Sequence, residues 1–193
     1  MTDAARPNEP DDTRLRWTSV PRWPAPELPA AASYLACCFG AAGERQASAL
    51  LEAADREVPV RTETFADHWD AATEPALRRL IEESFTGVRV ILAGPEAMVM
   101  RAAALARRLG ATSEELVLMA ADAVSGAAGG GYVTGRAARR VFCVACRAPF
   151  DAVAALNDSV TCPGCAATLA VDRRFSRPQA AYFGWPTGLE LHQ

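Results

Sequence analysis

The sequence predicts a small, mostly parallel α/β sheet flanked by helices, followed by a C-terminal module of the rubredoxin or zinc-ribbon type. Three observations carry this. Apolar runs alternate with helical patterns between Ser33 and Ser125, two C-x-x-C motifs stand fifteen residues apart, and a glycine-rich stretch separates the two regions. A chain of 193 residues, half of them hydrophobic, has material for one core and a small second module.

Residues 1–32 hold Pro7, Pro10, Pro21, Pro24, Pro26 and Pro29, which prevents regular structure and predicts an extended arm. Trp17 and Trp23 within it point to packing on a surface, of this chain or of a partner. The α/β region spans 33–125. Tyr34–Phe39 is an apolar run ending at Gly40, and Glu44–Arg56 follows with Ala47, Leu50, Leu51 and Ala54 at helical spacing. Val58–Phe65 alternates apolar and polar residues, and Pro59 makes it an edge strand or a strand start. Thr73 and Pro75 open a helix with Leu77, Leu80 and Ile81 on one face and Gly87 as its stop. Val88–Ala93 reads as a buried strand. Gly94-Pro95 then turns the chain into a helix to Leu109, striped by Met98, Ala102 and Leu105 and closed by Gly110. Leu116–Met119 fits a last strand, while Glu114–Val124 fits a helix equally well. Strands separated by helices favour parallel pairing. Residues 126–139, opening on Gly126-Ala-Ala-Gly-Gly-Gly131, form a linker by composition, 140–184 the metal module, and 185–193 a tail.

Composition removes several functions. There is no lysine, which excludes a Walker-A lysine, a Schiff base and a Ser–Lys dyad. The two histidines are His68 and His192, so a histidine-centred hydrolase would rest on His68 alone. The formal charge of −3 does not suit a general nucleic-acid binder, although Arg136, Arg139, Arg140, Arg147, Arg173, Arg174 and Arg177 surround the cysteines. No run reaches the ~18–20 apolar residues of a membrane span, and the acidic start is unlike a secretory signal. Paired C-x-x-C motifs favour metal binding in a reducing compartment, so the expected location is the cytoplasm.

Cys143, Cys146, Cys162 and Cys165 are the metal ligands. Each C-x-x-C builds a knuckle, and the fifteen-residue spacer is long enough for two strands that bring the knuckles face to face. Phe150, Val153 and Leu156 precede an Asn157-Asp158-Ser159 turn, Val160 re-enters a strand, and Leu169–Val171 supplies another. So little core implies that the metal supplies most of the module's folding free energy. Three occupancies fit: a structural zinc, a rubredoxin-type iron, and a redox-active dithiol without metal. Cys37 and Cys38 are neighbours in a strand and point to opposite faces, as small core residues.

The stretch Val141-Phe-Cys143-Val-Ala-Cys146, Val160-Thr-Cys162-Pro-Gly-Cys165, Leu169, Val171, Arg174-Phe-Ser-Arg177 and Ala181-Tyr-Phe-Gly184 resembles the small zinc-binding subunit of dimethylamine monooxygenase. That resemblance implies a cytoplasmic, multi-subunit, NADPH-dependent haem monooxygenase that converts dimethylamine to methylamine and formaldehyde. It also implies larger partner subunits that carry flavin, iron–sulfur cluster and haem. A looser likeness covers Val88–Ala93, Gly94-Pro95, the following helix, Gly110 and Glu114–Leu118, which is similar to the end of a ferredoxin-reductase nucleotide-binding domain. It implies cofactor contacts at Gly40, Gly43, Arg61, Gly94, Pro95 and Glu96. Several features depart from that domain. Ala93 stands where a cysteine would face the nicotinamide, and the first glycine loop is reduced to Gly40-Ala-Ala-Gly43. No flavin-barrel Arg-x-Tyr-Ser motif is present. The region 33–125 therefore resembles a truncated form of such a domain, and the chain is not a complete reductase; Gly94-Pro95 also fits an ordinary strand-to-helix turn.

These readings make the chain an accessory subunit of the monooxygenase that supports assembly and electron transfer to the haem. Arg173, Arg174, Phe175, Arg177, Tyr182 and Trp185 are the expected docking residues, because arginines and aromatics are enriched in interface hot spots. A different class, a zinc-ribbon protein contacting nucleic-acid phosphates through its arginines, is the alternative, and a stand-alone rubredoxin-like electron carrier is a third reading.

Overall fold

The computed structural model describes residues 19–123 and 131–187, so Trp17, most of the glycine stretch and the end of the tail lie outside them. Strands β1 (Ser33–Phe39), β2 (Val60–Phe65), β3 (Val88–Gly94) and β4 (Leu116–Ala120) form a four-stranded parallel sheet in the order β2-β1-β3-β4. Helices α1 (Gly40–Leu51), α2 (Thr73–Glu82) and α3 (Glu96–Arg108) connect them. From Tyr34 in β1 and from Val90 in β3 the sequence is apolar and buried, because both faces of these central strands are covered. Strand β2 lies at the edge and is largely exposed, as its Val-Arg-Thr-Glu-Thr-Phe sequence suits.

Alternation along the strands divides the core. Leu35, Cys37, Phe39, Val90 and Leu92 pack with residues of α2 and α3, including Leu77, Leu80 and Leu105. Tyr34, Ala36, Cys38, Ile91 and Ala93 pack on the other face with Ala47, Leu50 and Leu51 of α1. The two neighbouring cysteines thus belong to opposite faces. Burial pushes both thiols up, Cys38 to about 11 and Cys37 further, which leaves them unreactive.

The Asp70 carboxylate opens α2 by accepting the Thr73 N–H at 2.8 Å and the Ala72 N–H at 3.0 Å. The segment that fits strand or helix equally well is a strand, because pairing from Val90↔Leu116 to Gly94↔Ala120 outweighs a local helical pattern.

The second sheet comprises β5 (Ala137–Cys143), β6 (Pro149–Ala154), β7 (Ser159–Thr161), β8 (Thr168–Ser176) and β9 (Ala181–Pro186), in the order β6-β5-β9-β8-β7. All neighbours are antiparallel except β5 and β9. The stretch expected as a linker belongs to the fold from Gly131 onward. Gly131 exchanges two 2.8 Å backbone hydrogen bonds with Trp23, Tyr132 and Val133 are buried, and β5 starts at Ala137.

The two modules share one core. Val141, Val171, Phe175 and Tyr182 of the second sheet fall in the same apolar cluster as Val99 and Leu105 of α3. The described part of the arm, from Ser19, packs on its own chain: Val20 and Trp23 enter that cluster, and Ser19 Oγ accepts the Phe175 N–H at 2.6 Å. No helix among the described residues is long and apolar enough to cross a membrane.

Candidate metal centre and the buried junction

Two knuckles of matching geometry hold the cysteines. At the end of β5, the Arg147 N–H donates to the Cys143 carbonyl (2.8 Å) and the Cys143 N–H to the Ala148 carbonyl (3.0 Å). After β7, the Ala166 N–H donates to the Cys162 carbonyl (2.9 Å) and the Cys162 N–H to the Ala167 carbonyl (2.9 Å). Arg147 (φ 61°) and Ala166 (φ 59°) take the left-handed conformation that closes each knuckle. The four sulfurs lie within 4.8 Å of one another, with Cys143–Cys165 at 3.8 Å and Cys146–Cys162 at 3.6 Å. A tetrahedron with metal–sulfur bonds of about 2.3 Å has edges of about 3.8 Å, so the residues present fit one tetrahedral ion. Cys143 and Cys162 are buried against Leu169, while Cys146 and Cys165 are exposed.

The electrostatics favour a cation. Burial raises the Cys162 thiol, yet the N–H groups of Cys165 and Gly164 and the neighbouring thiols bring it down to about 7. At Cys146 the Ala148 N–H lowers the thiol, but burial and hydrogen bonds to the other three cysteines push it up to about 12. Four thiolates crowded together repel unless a divalent ion neutralises them.

A second constellation joins the modules. Glu96, the first residue of α3, is only 2% exposed. Its Oε1 accepts the Tyr182 hydroxyl (2.6 Å) and Arg139 Nη1 (3.2 Å), and its Oε2 accepts the Trp23 indole N–H (3.0 Å). Arg139 is 1% exposed, lies over the Tyr182 ring at 5.0 Å, and donates to the carbonyls of Ala154 (2.9 Å) and Val133 (3.0 Å). Arm, parallel sheet and second sheet therefore meet at one carboxylate.

Burial raises Glu96 above the usual carboxylate range, against Tyr182, Trp23 and Arg139, which lower it. The folded state thus holds this proton more tightly than the unfolded state does. The resulting stabilisation is fully present below the unfolded value, ~4.3, and is lost as pH rises through the folded one. Chemical denaturation across pH 4–8 should show the native chain losing stability relative to Glu96→Gln as pH rises. Parallel curves for the two proteins would contradict this.

Of the residues expected at a cofactor, Gly40, Gly43, Gly94, Pro95 and Glu96 do gather at the carboxyl ends of β1 and β3, where the strand order reverses. Arg61 does not join them. It sits near the opposite end of β2, paired with Glu83 at 3.2 Å and Glu63 at 3.5 Å. The glycines permit close packing: a Cβ on Gly43 would stand 2.2 Å from the Ala93 carbonyl oxygen, and one on Gly94 2.6 Å from Phe39. The anion seat at the N-terminus of α3 is filled by Asp122, whose Oδ1 accepts the Glu96 N–H at 2.9 Å. Glu96 itself is a buried strut, bonded to Tyr182, Arg139 and Trp23.

The docking set also divides. Phe175 and Tyr182 are buried, edge to face at 4.9 Å, because the ribbon needs an apolar lid against α3. Arg174 and Trp185 are exposed, with the guanidinium 5.8 Å from the indole, and Arg177 is exposed while Arg173 is half-buried. Arg139 and Asp122 are site residues that no sequence motif singles out. One signal existed: an indole N–H held in an arm rich in proline needs an acceptor once buried.

Fold and site together define a small α/β protein with a four-cysteine ribbon that could hold a metal ion. Residues 140–185 match the family described as dimethylamine monooxygenase subunit DmmA-like, C-terminal domain. The chain is 30% identical over 168 residues to the heme-dependent oxidative N-demethylase delta subunit of Ectopseudomonas mendocina (strain ymp), covering 86% of each protein. It belongs to this family of demethylase delta subunits. No solved structure matches it significantly.

Proposed function

We propose that the chain is a non-catalytic subunit of an NADPH-dependent haem monooxygenase that demethylates dimethylamine to methylamine and formaldehyde. In this reading one structural zinc sits on Cys143, Cys146, Cys162 and Cys165, while flavin, iron–sulfur cluster and haem belong to larger partner subunits. The observation that carries the accessory role is the closed set of four sulfurs, which leaves a metal no open position for water or substrate. Asp122 and Glu96 at the start of α3 add to it, since they occupy the place where a nucleotide phosphate would bind. Iron on the same sulfurs is the second reading, because tetrahedral thiolate geometry suits both metals, and its visible absorption distinguishes it.

The outward face of the second sheet supports docking to a partner. Phe142 and Phe183 meet edge to face at 6.0 Å there, on the same strand faces as Trp185 beside Arg174. A phosphate-binding role for the arginines draws less support. Arg139 is buried, Arg136 pairs with Asp158 at 2.6 Å, and Arg174 lies 3.4 Å from Asp172.

The test is co-purification of the tagged chain with its partners. Arg174→Glu with Trp185→Ala should weaken assembly at least about thirtyfold, as for an interface hot spot, while changing the stability of the chain itself by about 1 kcal/mol or less. Full-strength capture of flavin- and haem-bearing chains by this variant would place docking elsewhere.

A further inference from the structure

Between α2, α3 and the turn joining β8 to β9 lies a cavity of about 70 Å³ lined by Trp69, Glu74, Arg101, Arg108, Arg140 and Gln179. It exceeds the ~10–15 Å³ that holds one water and is far below the ~300 Å³ of an ordinary small-molecule pocket. That size suits one oxyanion group.

Two of its three arginines are already anchored. Arg101 donates to Asp151 Oδ2 at 3.1 Å and lies over the Trp69 ring at 4.5 Å. Arg108 stands 3.6 Å from Glu74, which is shared at the same distance with Arg78. Arg140 is different. Its buried Nε has no hydrogen-bond partner, and the group forms no ion pair among the described residues. Asp151 is its cross-strand neighbour, but gives its carboxylate to Arg101. Arg101 is itself held below the usual guanidinium range, by burial first and then by the Arg140 charge. Like charges converging on a cleft with an unpartnered donor need an anion to offset them.

We propose that Arg101, Arg108 and Arg140 form a cradle for a phosphate-type oxyanion at the junction of the two modules. Phosphate suits it better than carboxylate because three guanidiniums from two elements match more than two acceptor oxygens. Gln179 adds an amide donor at the rim, and Glu74 is the group that opposes the anion. The ligand ties α3 to β5 beside the Glu96–Arg139 pair. Free phosphate and the phosphate of a larger ester present the same oxygens to this site.

The test titrates the full metal-loaded chain with inorganic phosphate and, separately, glycerol 3-phosphate, at constant ionic strength, by calorimetry. Saturable binding tighter than about 1 mM is expected, weakened about tenfold or more in Arg108→Gln and in Arg140→Gln. Glu74→Gln should tighten it, a gain that misfolding cannot produce. Binding of both ligands makes an ester the natural source, and binding of inorganic phosphate alone makes it the free ion; either result upholds the cradle. Absence of saturation by either ligand at roughly 10 mM overturns it, as do equal affinities across the native chain and all three variants.

Discussion

Replacing Cys143 with Ser is expected to release the metal and lower the melting temperature of the whole chain, beyond unfolding the ribbon. Three remaining thiolates cannot neutralise and enclose a divalent ion as four do, and structural zinc supplies on the order of 10 kcal/mol of apparent folding free energy. Cys143 ends β5, the strand that carries Arg139 and Val141 into the junction with α3. Melting β5 therefore withdraws Arg139 from Glu96 and opens the apolar cluster shared by both modules. Elemental analysis should find about one zinc per native chain and less than about half an equivalent in Cys143→Ser. Calorimetry should show one transition displaced downward. A variant that keeps its metal, or whose parallel sheet melts unchanged as a separate unit, would refute this account. Iron in place of zinc would keep the structural argument and change the identity of the ion.

Arg139→Met should cost about 3–5 kcal/mol, the amount typical of leaving one member of a buried ion pair uncompensated. The loss has two parts. Glu96 keeps its burial but loses its guanidinium, and the carbonyls of Ala154 and Val133 lose their donor. Adding Glu96→Gln removes the uncompensated charge and not the orphaned carbonyls, so the double variant should recover part of the loss. Urea denaturation of the four proteins gives the coupling directly. Additive effects of the two substitutions would show that the pair does not hold the modules together. Trp23 fluorescence provides a further readout, because its indole N–H shares the same carboxylate.

Much of this protein was legible along the chain because the signals are local. The cysteine spacings carry their own coordination geometry, and each knuckle closes through hydrogen bonds within a few residues. The apolar runs of β1 and β3 and the Gly110 stop after α3 are likewise local. One central element was ambiguous, the stretch at Leu116, which pairing with β3 decided. The stretch expected as a linker by composition proved part of the fold from Gly131, which is bonded to Trp23.

The functional reading of Glu96 and Tyr182 was another matter. An acidic residue after Gly-Pro at a helix start, and a tyrosine beside arginines, both have the composition of an accessible site. Their partners come from 86, 73 and 43 residues away, as Tyr182, Trp23 and Arg139 close on Glu96. Whether a polar side chain faces solvent or is buried depends on which distant donors reach it, since burial without them is prohibitively unfavourable. The sequence by itself determined the four-cysteine pattern that could hold a metal ion, the strand and helix alternation and the family. Only the tertiary structure decided that the two modules and the arm from Ser19 onward are one body, because a buried carboxylate demands donors that no local pattern reveals.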